Sequence, residues 1–416
     1  MPAKAVALKP PLSGSLRGLD WLNFFLADVQ TGVGPFLAIY LAAYHWDEQQ
    51  VGTVLAIGGI AGILAQTPAG ALVDKLHAKR ALIGGAAIAL AGGALLTAFL
   101  PTFWPIASAQ VLIGAASSLF GPAIAAISLG IVGPRLFDRR QGRNQTFNAA
   151  GNVFAAISMG LIAYAISDRS IFFFVVAFVL PTLVALRCIH SKDIDYQQAR
   201  GGKEGDDAKT ARLADLLNDG PLVIFLICAV LFHFANAAIL PLLGEMLAKG
   251  HGRSSMLFMA ACIVTTQLTV SLISSFSGSL AGTWGRKPLL LIGFAALPIR
   301  AVLYTLTDNT VLLIAIQVLD GVAAGIFGVV SVLVIADLTR GSGRFNLTLG
   351  AIATAVGIGA SISQVIAGAI VHHFSYRAGF LFCAVIHAIA FGLLLTAMPE
   401  TGSPSGDNKF AHHPSA

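Results

Sequence analysis

Twelve apolar stretches of roughly twenty residues, parted by short charged loops, govern what this chain can fold into. A helix of about 20 apolar residues is long enough to cross a bilayer. In hydrocarbon the backbone must satisfy its own hydrogen bonds, which leaves the helix as the structure for such stretches. They fall near 19–44, 49–72, 81–100, 103–132, 145–166 and 170–189, then near 220–243, 254–276, 289–306, 310–336, 346–371 and 378–398. Of the 416 residues 56% are hydrophobic and 11% charged, whereas about a quarter of a soluble domain is charged. The expected fold is therefore an all-α polytopic membrane protein of twelve transmembrane helices.

Charge sets the expected orientation. With the N-terminus inside, 21 of the 26 Lys and Arg fall in inner segments. Four (Arg169, Lys249, Arg253 and Arg377) fall in outer loops, and Arg300 lies within a span. The positive-inside rule then puts both termini in the cytoplasm. The expected domains are an N-terminal cytoplasmic segment (1–18), a six-helix bundle (19–189), a central cytoplasmic linker (190–219), a second bundle (220–398) and a disordered tail (399–416). In the linker, "TARLADLLND" reads either as a short amphipathic surface helix or as plain tether. The net charge of +6 sits beside the membrane, so no nucleic-acid partner is expected. Cys188, Cys228, Cys262 and Cys383 lie in or at the ends of apolar runs without ligand spacing, so neither a metal nor another cofactor is expected.

The halves repeat. "GALVDKLHAKR" from Gly70 matches "GSLAGTWGRKP" from Gly278, "QVLIG" from Gln110 matches "QVLDG" from Gln317, and "FLAD" ending at Asp28 matches "HFAN" ending at Asn236. These pairs are offset by 207 or 208 positions, and "GRNQTFN" and "GRFNLTL", from Gly142 and Gly343, by 201. Four matches in one order indicate duplication of a six-span unit.

On the charged loop Gly70-x-Leu72-x-Asp74-Lys75-x-x-x-Lys79-Arg80, its cognate Gly278-x-Leu280-x-x-x-x-Gly285-Arg286-Lys287 and the doubled layout, the chain resembles the major facilitator superfamily over residues 17 to 400. The resemblance implies two pseudo-symmetric bundles around a cavity that opens to each side in turn, lined by spans 1, 4, 7 and 10. It also implies that Asp74 latches the bundles on the inner side, with Gly70, Lys75, Arg80, Arg139, Arg143, Arg286 and Lys287 as gating-loop residues. The chain departs from the family pattern at His77, Gly282 and Gln110, and "AGNVFAAISMG" lacks the Gly-Pro pair of many drug antiporters.

Asp28, inside "NFFLADVQTGVGPFLAIYL", is the candidate proton-coupling residue. An acid in the membrane is costly and usually functional, as a proton carrier or an anchor for a cationic group; packing against neighbouring donors is the alternative. Asn236 and His233 on span 7 form the opposite wall of the candidate site, or His233 bonds a neighbouring helix. Arg300 and Asp320 read as a buried ion pair, or as a pair whose Asp320 switches partners during transport. Gln110 and Gln317 bond substrate or join helices. Phe24, Phe25, Phe120, Phe232, Phe234 and Phe327 together suggest an aromatic cavity suited to an amphiphile, while each taken singly reads as lipid-facing or core packing.

The expectation is a monomeric secondary transporter of the cell membrane, not an enzyme, whose partners are a small-molecule substrate, protons and the lipid bilayer. Proton-coupled efflux leads. Uptake, or export of an anionic metabolite or metal chelate held by Arg300, is the alternative. There is no GxxxxGK[ST] phosphate loop and no HExxH pattern. A membrane-embedded enzyme or a lipid scramblase is the reading of another class.

Overall fold

The computed structural model describes residues 13–31, 34–76, 78–196, 199, 219–252, 254–339 and 345–402, with the side chains at 13, 28–31, 74, 134–135, 138 and 345–347 left out. Among these residues every regular element is helical. The first half holds α1 (Ser13–Thr31), α2 (Pro35–Ala43), α3 (Glu48–Lys75), α4 (Lys79–Phe99), α5 (Phe103–Ser117), α6 (Phe120–Val132), α7 (Pro134–Ala165) and α8 (Ser170–Cys188). The second holds α9 (Gly220–His251), α10 (Ser254–Trp284), α11 (Arg286–Leu303), α12 (Thr310–Leu338), α13 (Phe345–His373) and α14 (Tyr376–Ala397).

Among the described residues ten spans are long and apolar enough to cross a membrane, α5 and α6 together forming one of them. The two others are the broken pair α1–α2 and α11, which starts on Arg286 and Lys287 and carries Arg300. In span 1, α1 ends at Thr31 and α2 begins after Gly34 with Pro35 in its first turn, where a missing N–H costs nothing. Short polar side chains start the helices that follow loops. Asp47, Asp219, Asn309 and Ser375 each accept a bond from a backbone N–H in the first turn of α3, α9, α12 and α14.

Several boundaries differ from the sequence expectation, and span 8, expected at 254–276, continues to Trp284. Span 7 continues to His251, so Glu245 and Lys249 stand on a helix rather than in a loop. The basic stretch 133–148 is the opening of α7, held to α1 by Arg140 and Arg143 on Asp20 and to α6 by Asn144 Nδ2 donating to Ser128 Oγ at 3.0 Å. The linker begins as a brace: Ser15 Oγ donates to Asp193 Oδ2 at 2.6 Å, Arg80 Nη1 to Ser191 Oγ at 2.8 Å, and Asp195 N to Gly130 O at 2.9 Å. The amphipathic stretch from 210, apart from Asp219, and the tail from 403 lie outside the described residues.

The halves meet along α3–α13, α7–α10 and α2–α9. One buried apolar cluster runs through the first half and continues into 235–247 of α9, 256–263 of α10 and the facing parts of α13 and α14. The rest of the second half has its own cluster, around Phe225, Phe232, Phe294 and Val330. The halves thus share a core at the end that carries residues 44–48, 249–256 and 372–380. The described ion pairs at the other end stay within one half: Asp20 with Arg140 and Arg143, and Asp337 with Arg286.

Backbone contact closes this seam. A methyl group on Gly52 would sit 2.2 Å from the Gln364 carbonyl oxygen, and one on Gly368 would sit 2.4 Å from that of Glu48. Backbone cannot swing aside as a side chain can. Gly52→Ala is therefore expected to push α3 and α13 apart at a cost of about 1–3 kcal/mol, moving a two-state equilibrium about 5- to 150-fold toward an open seam. Thiol labelling of a cysteine placed at Ala248, in a chain lacking Cys188, measures this. An unchanged labelling rate would show that the seam does not hold the closed state.

Candidate functional site

Behind the seam the halves enclose a cavity of about 480 Å³. From the first half it is walled by Gly34 and Pro35 at the break in span 1, by Leu55, Gly58 and Gly59 of α3, and by Gln110, Ile113 and Gly114 of α5. The second half adds Asn236, Ala237, Leu240 and Pro241 of α9, Arg300 of α11, Asp320 of α12 and Gln364 of α13.

Its polar centre is an ion pair. Arg300 Nη1 donates to Asp320 Oδ1 and, at 2.7 Å, to Asn236 Oδ1. The guanidinium also lies over the Tyr304 ring, 5.7 Å from its centroid. Arg300 is 0% exposed and Asp320 8% exposed, so the arginine stands behind the acid and the amide. With its carbonyl oxygen turned to Arg300, Asn236 keeps its amide N–H groups for other partners. The pair carries no net charge, so the cavity wall it forms is polar and electrically balanced.

Gln364 owes its place to a proline. Pro241 has no N–H to give the carbonyl one turn earlier, which leaves Ala237 O unpaired within α9. Gln364 Nε2 donates to that oxygen at 2.9 Å, tying α13 to the kink that borders the cavity. On the facing wall Gln110 is 4% exposed and its Nε2 has no hydrogen-bond partner. Gly58 leaves room for this amide, since a methyl there would lie 2.7 Å from Gln110 Oε1.

Gln110, Asn236 and Asp320, all singled out in the sequence, thus line one cavity. Asp28 falls in the last turn of α1, six residues before Gly34; its side chain lies outside those described. Gln317 is fully buried one turn from Asp320, with Thr266 Oγ1 donating to it at 3.4 Å, and is not among the lining residues. His233 packs edge-on against Phe327, 4.9 Å between centroids, inside the second half. The phenylalanines do not make the cavity aromatic. Phe232 stacks on Phe327 and lies tilted against Phe294, while Phe24 packs with Phe154 and Phe25 with Phe178, because rings in each half find one another first.

The gating-loop residues sit at the end opposite the seam. The Asp74 side chain lies outside the described set, Lys75 is exposed, and Gly70 has open space where a side chain would be. Arg80 ties the linker to α8, its Nη1 donating to Ser191 Oγ at 2.8 Å and its Nε to Leu186 O at 3.2 Å. Arg143 pairs with Asp20 at 2.7 Å, beside the buried Arg140–Asp20 contact at 2.5 Å, and Arg139 is exposed. Arg286 Nε donates to Asp337 Oδ2 at 3.1 Å, and the backbone N–H groups of Arg286 and Lys287 donate to Glu400. Sequence reasoning missed Asp20, Gln364, Glu48 and Glu245. Asp20 was legible as an acid just inside a span end, Glu245 was passed over because it lies beyond the expected end of span 7, and Gln364 carried no signal.

The sequence profile of the Major Facilitator Superfamily matches residues 21–267 and 225–415. The MFS-type transporter Rv2456c of Mycobacterium tuberculosis (strain H37Rv) is 44% identical over 405 residues, covering 96% of each chain. The multidrug transporter MdfA of Yersinia pestis (strain Angola) is 26% identical over 190 residues, 44% of this chain and 46% of that protein. Among solved structures, the nucleoside transporter NupG superposes with a TM-score of 0.74 at 15% identity, covering 92% of this chain and 98% of that one. A D-xylose–proton symporter superposes with a TM-score of 0.70 at 12% identity, covering 93% and 97%. These two likenesses concern the fold.

Proposed function

The chain belongs to the major facilitator superfamily, and from that premise we propose that it is a proton-coupled secondary transporter that moves a small organic solute across the cell membrane by alternating access. The carrying observation is the 480 Å³ cavity, walled by both halves and shut off at one end by their seam. Such a volume suits a small molecule. Its wall is apolar over most of its area, with the amides of Gln110, Asn236 and Gln364 and a balanced ion pair as polar anchors, which suits a small solute carrying a few polar groups.

The charge asymmetry of the loops puts the seam on the outer side and the cavity in reach of the cytoplasm. Asp28 is the proton carrier in this reading, next to the break in span 1, and Asp320 the acid whose pairing with Arg300 changes as the halves rock. Asp74 and the arginines of the inner loops would then latch the opposite end when the seam parts. Export is the working direction, supported by the partial likeness to MdfA. The protein works as a monomer.

One proton per solute would give about tenfold accumulation per pH unit, since a pH unit is worth about 1.4 kcal/mol. The test uses purified protein in proteoliposomes. Solutes that raise its thermal stability, as a bound ligand must, are offered under an imposed pH gradient. The reading expects accumulation that ends when an ionophore collapses the gradient; accumulation that continues removes the proton coupling.

A further inference from the structure

On the seam, Glu245 is buried without a partner. It follows Gly244 on α9, which packs against Ile39 of α2 and Met259 of α10, and it is 2% exposed. Among the described residues its carboxyl group enters no hydrogen bond and no ion pair. The charged groups facing it are Glu48 and Asp47, at the start of α3, and Lys249 on its own helix. Tyr376 of α14 stands beside the group as well, and His372 of α13 reaches Glu48 at 3.9 Å.

Lys249 lies four residues beyond Glu245, the helical spacing at which a glutamate and a lysine pair. Here it reaches across the seam instead: Lys249 Nζ donates to Glu48 Oε1, which also accepts from Tyr376 Oη at 3.0 Å. One lysine therefore serves two carboxylates, one on each side of the seam. Glu48 belongs to the first half and departs with it when the seam parts. Glu245 travels with Lys249. An unpaired charge removed from water costs several kcal/mol, whereas a protonated carboxyl group loses only its hydrogen bonds.

We propose that Glu245 is a proton-binding site coupled to the seam through exchange of Lys249 between two carboxylates. With the seam shut, Lys249 neutralises Glu48 and Glu245 carries a proton. With the seam open, Lys249 folds back onto Glu245, water enters, and the proton leaves to the outer phase. Closing takes up one proton and opening returns it. Because the shut state binds the extra proton, acid favours it. This site deepens the proton-coupled reading above and rests on it for its purpose.

The test reads the seam without any solute. Spin labels on cysteines replacing Gln50 and Gly250, both exposed, with Cys188→Ser, report the distance across it in lipid nanodiscs between pH 5 and 8.5. The short-distance population should grow on acidification, by up to about tenfold per pH unit for one proton. Glu245→Gln, which mimics the protonated group, should hold the short distance at every pH. Glu48→Gln, which releases Lys249 to Glu245, should shift the population toward the long distance throughout. A Glu245→Gln chain that keeps the wild-type pH response overturns the proposal, as does a wild-type distance indifferent to pH. Should Glu245→Gln fail to fold, an unshifted Glu48→Gln population overturns it equally. Loss of transport with the distance response intact would count against the transporter reading instead, and the reverse against Glu245.

Discussion

Asp320→Ala should lower the stability of the folded protein by about 3–5 kcal/mol, because it leaves the Arg300 guanidinium buried without its counter-charge. Arg300 is fully buried, and Asn236 supplies only a neutral acceptor at 2.7 Å. Thermal unfolding in a fixed detergent or lipid measures the loss. The double variant Arg300→Met, Asp320→Leu removes both charges together, and replacing a buried pair by apolar groups of similar volume is often neutral. It should therefore recover most of the folded yield. Transport decides what the pair is for. If it only joins α11 to α12, the double variant moves solute; if Asp320 changes partners during the cycle, the double variant is folded and inert. A single Asp320→Ala variant as stable as the parent chain would mean that Arg300 finds another anion.

Asp28→Asn is expected to abolish accumulation driven by a pH gradient while substrate binding survives. Asparagine keeps the size and the hydrogen bonds of the acid but cannot carry a proton. The pattern is specific: exchange of labelled for unlabelled solute continues, and uphill movement falls to the level of empty vesicles. Thermal shift by the solute would be retained within a few-fold of its original concentration dependence. Normal accumulation by this variant would leave Asp320 and Glu245 as the acids able to couple the cycle.

Much of the architecture was legible because a bilayer reads hydropathy one segment at a time. Span 3 (81–100 against α4, Lys79–Phe99) and span 6 (170–189 against α8, Ser170–Cys188) differ by at most two residues at either end. Span 7 was cut short at 243 because Glu245 and Lys249 look like loop residues, and only the seam, where Glu245 is buried and Lys249 reaches Glu48, makes them helical neighbours. Span 5 was begun too late for the opposite reason, since four arginines open α7 where it projects beyond the apolar zone.

The candidate site divides in the same way. Arg300 and Asp320 were paired from sequence because adjacent spans must neutralise an arginine in hydrocarbon. Gln364 meeting the carbonyl freed by Pro241 needs the rotation of α13 about its axis, which hydropathy does not encode. For the phenylalanines, core packing rather than an aromatic cavity is what the structure shows, because aromatic composition says nothing about which face a ring takes. Phe232 and Phe327 stack at 4.6 Å within one half, and no phenylalanine is among the residues lining the cavity.

By itself the sequence determined the number of spans, the duplication and the charge asymmetry of the loops, all properties of segments taken singly or added up. Tertiary structure decided which polar groups meet: Arg300 with Asn236, Lys249 with Glu48 rather than Glu245, and Gly52 against Gln364. The reason is geometric. Each contact depends on the height and rotation of two helices, and these are fixed when glycine-sized gaps let backbones from opposite halves come together.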